Sequence, residues 1–306
     1  MGAGRPRFYW ESPLRAAGGS RIAIPTRHGE IKALLYRPTV EDIAATLAAG
    51  RRPPVHFITH GGGFIIRLPE QEDNVARYLA SELGAYVVIP DFDTAPTVRH
   101  PVSEQQAYDA FVWVHENGAR FGWDGERVSI GGPSSGSQVA FAVVEQAIDA
   151  GGYVPVAISS EFGVGNVSRP DEQRTSSKAR PVVPPALIKL VRDTYFAGTD
   201  LTDPLISTAY YPRLAEFPPT LVMTAELDTL RDEMNELAAD LERKGVQVTH
   251  RQFAGVDHGF THAKPVEVAR EALRMIAEHL RKAYAIPTQE ERMRSPLRER
   301  LPDARA

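Results

Sequence analysis

A run of small residues near the middle of the chain has the spacing of a serine nucleophile. The segment "SIGGPSSGSQVA" begins at Ser129 and places Ser134 in a Gly-x-Ser-x-Gly pattern between Gly132 and Gly136. An apolar, strand-like stretch enters this turn and a run able to form a helix leaves it, which would expose the serine oxygen above a sheet edge. A serine attacks a carbonyl only when a base removes its proton and donors stabilise the oxyanion. Without those partners the motif is only a serine-rich loop.

Three consecutive glycines in "THGGGFII" could supply the oxyanion donors. They follow the apolar run "VHFIT", and glycine is entropically costly at a strand end unless the backbone needs it. A tight turn explains one glycine more easily than three. The pattern therefore predicts an oxyanion site formed by the N–H groups of Gly62 and Gly63 and completed by that of Ser135.

The base is expected after the last strand, where "FAGVDHGFTH" offers His258 and His262. The i,i+4 spacing of this pair could also suggest zinc, but Gly259 stands where the His-Glu-x-x-His motif has glutamate. We therefore expect no metal, with His258 as the base. His262 is expected on the surface, at the start of the last helix.

The carboxylate that orients the histidine is expected one strand earlier, in "LVMTAELDTLRDE". Asp228 follows that strand by a few residues. Glu226 and Asp232 are alternative candidates for this role. Glu226 is close to the strand end, and Asp232 is at a helix start, where the helix dipole stabilises a carboxylate in any case. The order serine, aspartate, histidine along the chain is that of the α/β-hydrolases.

Short apolar runs alternate with stretches of helical period along most of the chain. The runs "VHFIT", "YVVIPDF", "RVSIGG" and "PTLVMTAE" are continuously apolar, which is typical of strands buried on both faces. This rhythm predicts an α/β fold with a mostly parallel central sheet and helices on both faces. Residues 163–185 interrupt this alternation of strands and helices. Such a long insertion is either a lid or binding segment or a disordered loop.

The chain resembles the hormone-sensitive-lipase-like branch of the α/β-hydrolases, the bacterial carboxylesterases. The residues that carry the resemblance are "HGGGF", "GPSSG" in place of G-D-S-A-G, "DPLIS", "AELDTLRDE" and "DHGF". It implies a serine hydrolase with a small helical cap, no cofactor, and an ester or related acyl substrate. It also implies Ser134 as nucleophile, His258 as base, Asp228 as its orienting residue, and an oxyanion site at Gly62, Gly63 and Ser135. The expected division is a core at 21–162 and 200–284, cap or lid segments at 1–20 and 163–199, and a charged extension at 285–306.

Some residues depart from the family pattern. Pro133 replaces the family's aspartate and so loses a carboxylate and a backbone N–H, although Gly132 is well suited to precede a proline. In "DFDTAPT", Asp93 occupies a position where the family has arginine, and Thr97 one where it has glutamate, so an ion pair expected to be buried in the family is lost. Ser135 replaces alanine and Ser137 replaces glycine, which adds hydroxyls near the reaction centre.

Four aromatic residues are candidates for the substrate pocket. Phe64 follows the oxyanion glycines, and Phe162, Tyr195 and Phe196 lie in or next to the cap insertion. The alternative is that these rings only seal the cap onto the core, because apolar pockets and cores use the same residues.

Composition limits the classes of function. The 306 residues carry a net charge of −4 and no cysteine, which argues against nucleic-acid partners, disulfides and thiolate chemistry. No signal-peptide core or membrane-length apolar run is present, so we expect no membrane partner and a cytoplasmic location. The predicted function is hydrolysis of small to medium carboxylic esters through an acyl-enzyme. A lactonase or amidase on the same triad, a non-catalytic small-molecule receptor and an interaction protein remain alternatives, and a homo-oligomer remains open.

Overall fold

One eight-stranded sheet organises the described part of the chain, residues 19–287 of the computed structural model. Residues 1–18 and 288–306, which make up most of the predicted terminal segments 1–20 and 285–306, lie outside that range. The strand order is β1-β2-β4-β3-β5-β6-β7-β8; β1–β2 and β2–β4 pair antiparallel and the other pairs are parallel. The strands are β1 (Ser20–Thr26), β2 (Gly29–Tyr36), β3 (Val55–Ile58), β4 (Tyr86–Asp91), β5 (Val128–Pro133), β6 (Ile158–Glu161), β7 (Thr220–Ala225) and β8 (Val248–Phe253).

Helices cover both faces of this sheet, as the continuous apolar strands predict. The α-helices of the described residues are α1 (Val40–Ala48), α2 (Asp73–Leu83), α3 (Val102–Glu116), α4 (Gly118–Phe121), α5 (Ser135–Asp149), α6 (Pro185–Thr194), α7 (Arg231–Arg243) and α8 (Val266–Ala283). Side chains of β7 alternate between two cores. Val222 packs with residues of α3, α5 and α7, whereas Leu221 and Met223 pack with residues of α2 and α8. The predicted fold class is therefore confirmed.

The parallel strands bring their carboxyl ends to one edge of the sheet, where the predicted chemistry follows β5, β7 and β8. The long connection from β6 to β7 contains α6. Its residues 163–199 are called the cap segment below, and the division of the chain at these residues stays a prediction. Among the described residues, no helix combines the length and apolarity needed to cross a bilayer.

Candidate active site

The turn between β5 and α5 holds Ser134 in a strained backbone conformation. Its φ is 55° and its ψ is −129°, a region that residues with a side chain rarely occupy. The flanking glycines are needed because the chain at the end of β3 packs against the turn and leaves no room for a Cβ atom at either position. A Cβ on Gly132 would lie 2.1 Å from the carbonyl oxygen of Thr59, and one on Gly136 would lie 2.0 Å from the same atom. The turn is fixed further by the Ser134 N–H, which donates to the carbonyl of Glu161 at 2.9 Å.

His258 lies between Ser134 and Asp228. Its Nε2 is 2.8 Å from Ser134 Oγ, and its Nδ1 is 2.7 Å from Asp228 Oδ2. Asp228 is buried, and its other oxygen accepts the Leu230 N–H at 3.0 Å. A carboxylate only accepts, so Nδ1 carries the hydrogen and Nε2 is free to accept the serine proton. This geometry fits a nucleophile, a base and an orienting carboxylate.

The two competing carboxylates have other partners. Glu226 is exposed and accepts the Gly255 N–H at 2.7 Å, and Asp232 pairs with Arg231 at 2.7 Å. Only Asp228, among the three candidates, contacts His258.

The glycine loop after β3 lies beside the serine turn. Gly62 has a φ of 125°, and a Cβ there would lie 2.3 Å from the carbonyl oxygen of Ile66, so the sharp turn requires glycine. The N–H of Gly63, a predicted oxyanion donor, points at the serine turn and donates to Ser135 Oγ at 2.8 Å. The structure thus brings Gly63 and Ser135 together, and the Ser135 hydroxyl takes the hydrogen bond that the predicted oxyanion would accept from Gly63.

The aromatic candidates occupy two different places. Phe64 stacks on Tyr195, with ring centroids 5.0 Å apart, and meets Phe196 edge-on at 4.9 Å. All three are buried, and the Tyr195 hydroxyl donates to Glu104 at 2.6 Å. This placement favours the alternative in which Tyr195 and Phe196 seal the cap segment onto the core. Phe162 differs, because its ring lies edge-on to the His258 imidazole at 4.9 Å.

The cap segment contacts the loop that carries His258. Lys178 pairs with Asp257 at 2.8 Å, and the Val182 N–H donates to the same carboxylate at 3.0 Å. Burial alone would raise the pKa of Asp257, but Lys178 and the N–H groups of His258 and Val182 outweigh it and lower that pKa. The sequence gives no signal for this contact, because Lys178 and Asp257 are far apart along the chain.

The cap segment also contacts the loop that carries Asp228. Ser176 Oγ donates to the carbonyl of Leu227 at 2.6 Å, and Thr229 Oγ1 donates to the carbonyl of Val183 at 2.7 Å. Both neighbours of Asp228 are therefore tied to residues of the cap segment.

His262 is not the surface residue that its local sequence predicts. It ends a short 3₁₀ turn, Phe260–His262, and its side chain is only partly exposed. Its Nε2 lies 3.3 Å from Glu72 Oε2. The expectation was wrong because Glu72, which packs behind the serine turn, is 190 residues away along the chain and a local pattern does not reveal it.

The departures from the family pattern are accommodated. Asp93 forms an ion pair with Arg67, which also binds Asp91, so this position keeps a charge pair of a different composition. The Gln106 side chain donates to Asp93 Oδ2 at 2.8 Å and accepts the Asp93 N–H at 2.7 Å. Pro133 ends β5 in register with Glu161 of β6, and the turn forms without its N–H.

Comparison with known proteins identifies the class to which this fold and site belong. A family model described as alpha/beta hydrolase fold matches residues 56–262. This range is more than half of the chain, which therefore belongs to the α/β-hydrolase family.

Relatives and solved structures agree on the kind of hydrolase. The ethyl acetate hydrolase of Pseudomonas putida is 29% identical over 266 residues, covering 85% of this chain and 81% of that protein. The carboxylesterase NlhH of Mycobacterium tuberculosis is 30% identical over 226 residues, covering 72% and 70%. The solved structure of a Pyrobaculum calidifontis esterase is 32% identical, covers 88% of this chain and 87% of that chain, and has a TM-score of 0.79. The predicted family and the predicted enzyme class, a carboxylic-ester hydrolase, are confirmed.

Proposed function

We propose that this protein hydrolyses small to medium carboxylic esters through an acyl-enzyme, with Ser134 as nucleophile, His258 as base and Asp228 as orienting carboxylate. The observation that carries the proposal is the position of the His258 ring, 2.8 Å from the serine oxygen and 2.7 Å from a buried carboxylate. A neutral imidazole held in this tautomer is poised to take the serine proton.

In the first half-reaction Ser134 Oγ attacks the ester carbonyl carbon while His258 Nε2 takes its proton. The carbonyl oxygen becomes an oxyanion, stabilised by the N–H groups of Gly62, Gly63 and Ser135. The carbon–oxygen bond to the alcohol then breaks, and His258 returns the proton to the departing alkoxide. In the second half-reaction water gives a proton to His258 and attacks the acyl-enzyme, and the acid leaves as Ser134 recovers its hydrogen.

Substrate size is proposed from the relatives. Ethyl acetate, a small ester, stands in the name of the Pseudomonas putida relative. A lactone or an amide presents the same carbonyl to the same groups, so the panel of substrates has to include both. A purely ligand-binding role is disfavoured because all three side chains of the triad are present and in contact. The cytoplasmic location stays a prediction from the sequence.

Steady-state hydrolysis of p-nitrophenyl esters with acyl chains from two to sixteen carbons tests the proposal, alongside a lactone and an anilide. We expect the highest kcat/KM at short to medium chains. Ser134→Ala should lower kcat by at least about 10⁴-fold, whereas the matched control Ser137→Ala, whose hydroxyl contacts Ser160 at 2.5 Å, should change it little. Equal hydrolysis by wild type and Ser134→Ala would contradict the proposed nucleophile. A preference for the lactone or the anilide would mean that the substrate is a lactone or an amide rather than an open-chain ester.

A further inference from the structure

Three titratable side chains, two of them buried and that of His262 partly buried, lie behind the nucleophile turn and take no part in the proposed chemistry. Glu72 precedes α2, Glu161 ends β6, and His262 follows His258 by four residues. Glu72 and Glu161 line a cavity of about 10 Å³ together with Pro133. A buried charge is costly unless it is paired. A cluster of ionisable groups beside the candidate active site therefore indicates a role that offsets this cost.

Each member of this cluster is attached to a different catalytic segment. The carbonyl of Glu161 accepts the Ser134 N–H at 2.9 Å. Glu72 Oε1 is 3.5 Å from the N–H of Gly61, the first residue of the oxyanion loop. His262 belongs to the turn after His258, where its N–H donates to the carbonyl of Gly259 at 2.9 Å. The cluster therefore touches the nucleophile turn, the oxyanion loop and the histidine loop at once.

The charges within the cluster favour a proton on His262. Burial alone would lower the pKa of His262, but Glu72 and then Glu161 outweigh it, and the pKa is raised. His262 Nε2 faces Glu72 Oε2 at 3.3 Å. The imidazolium thus links the histidine loop to the residue that approaches the oxyanion loop.

Glu161 holds its own proton near neutral pH. Burial raises its pKa to about 7, although the Ser159 hydroxyl works in the opposite direction. The repulsion from Glu72 raises this pKa further, and His262 lowers it. His60, two residues after β3, is kept neutral because burial lowers its pKa and outweighs the opposing attraction of Glu72.

We propose that Glu72, Glu161 and His262 are positioning residues, which hold the nucleophile turn, the oxyanion loop and the histidine loop in one arrangement through a shared proton on His262. The proposal rests on the proposed esterase function. Loss of the shared charge would let the histidine loop shift relative to Ser134, and a displacement of about 1 Å costs on the order of 100-fold in rate.

Kinetics of Glu72→Gln, His262→Asn and the double variant test this arrangement. We expect each single variant to lower kcat by about 10- to 100-fold with KM within about threefold, and the double variant to be no worse than the poorer single, because both remove one interaction. His250→Gln, which alters a histidine paired with Asn235 2.9 Å away on the sheet edge, is the matched control and should retain wild-type kcat. Unchanged kcat in His262→Asn, or losses that multiply in the double variant, would overturn the proposal.

Glu161→Gln gives a second readout that a purely structural role would not move. This variant is isosteric with the protonated side chain, so it should fold and remain active at pH 6.5. It removes one of the two carboxylates that hold the proton on His262, so the alkaline decline of kcat should move to lower pH. An identical pH profile in wild type and variant would overturn the shared-proton account. Ester hydrolysis by the wild type distinguishes the two possible failures. If the proposed function were wrong, neither the wild type nor any variant would hydrolyse the esters.

Discussion

Removal of the Ser135 hydroxyl is expected to make this enzyme more efficient. The hydroxyl oxygen accepts the Gly63 N–H at 2.8 Å and therefore occupies the position that the oxyanion would need in the proposed mechanism. A neutral hydrogen bond of this kind is worth about 0.5–1.5 kcal/mol net. Since 1.36 kcal/mol is a factor of ten, displacement of the hydroxyl lowers kcat/KM by about 2- to 13-fold. Ser135→Ala should raise kcat/KM by that factor, because the backbone N–H groups remain and only the competing oxygen is lost.

Initial rates of short-chain p-nitrophenyl ester hydrolysis, measured on wild type, Ser135→Ala and Ser137→Ala, check this expectation. Ser137 is the matched control because it is buried in the same helix and its hydroxyl contacts Ser160. If the Ser135 hydroxyl donated to the oxyanion, its removal would instead cost about 10²–10³ in kcat. A fall of tenfold or more in Ser135→Ala alone would therefore mean that the Ser135 hydroxyl does not compete with the substrate for the Gly63 N–H.

Three further changes have expected outcomes. Asp228→Asn should lower kcat by about 10⁴-fold in ester hydrolysis, because an amide favours the wrong imidazole tautomer; a loss below tenfold would contradict this role. Arg174→Met should lower the free energy of unfolding in guanidinium by about 3–5 kcal/mol, since it leaves the buried Glu233 without its counter-charge, whereas Lys189→Met at an exposed pair should change it by less than about 1 kcal/mol. Glu161 keeps its proton up to a pKa of about 7 when folded, against 4.5 when unfolded. The folded state therefore binds more protons between these values, and in urea unfolding Glu161 should contribute a loss of stability of about 3 kcal/mol as pH rises through them. Glu161→Gln should make the decline smaller by about that amount, while Glu233, whose pKa burial also raises to about 7, keeps its own contribution; an unchanged decline in Glu161→Gln would contradict this prediction.

The fold and the three central side chains follow local rules that can be read from the chain. Continuous apolar strands that alternate with helices require a covered parallel sheet. A nucleophile turn, an acid and a histidine after successive strands then meet at the carboxyl edge. Ser134 also carries a local signature, because Gly132 and Gly136 are needed where the end of β3 passes within about 2 Å of the place that a Cβ atom would take.

Contacts between distant loops could not be predicted in this way. His262 has the local pattern of a polar residue at a helix start, and only packing brings Glu72 to within 3.3 Å of it. Lys178 and Asp257 meet for a similar reason, since nothing in either segment specifies the other. The position of Ser135 Oγ depends on a rotamer and on the path of the glycine loop, which residue types do not determine. Aromatic residues such as Tyr195 and Phe196 occur in substrate pockets and in cores alike, so residue type does not separate these roles. Only the burial of both rings favours a role in the core.

Whether Ser134 is an activated nucleophile is tested by the intact mass of the protein after exposure to a fluorophosphonate. An activated serine at Ser134 predicts one adduct per chain on the wild type and none on Ser134→Ala, with Ser137→Ala labelled like the wild type. An unlabelled wild type, or an adduct that persists in Ser134→Ala, would contradict the claim that Ser134 is the nucleophile.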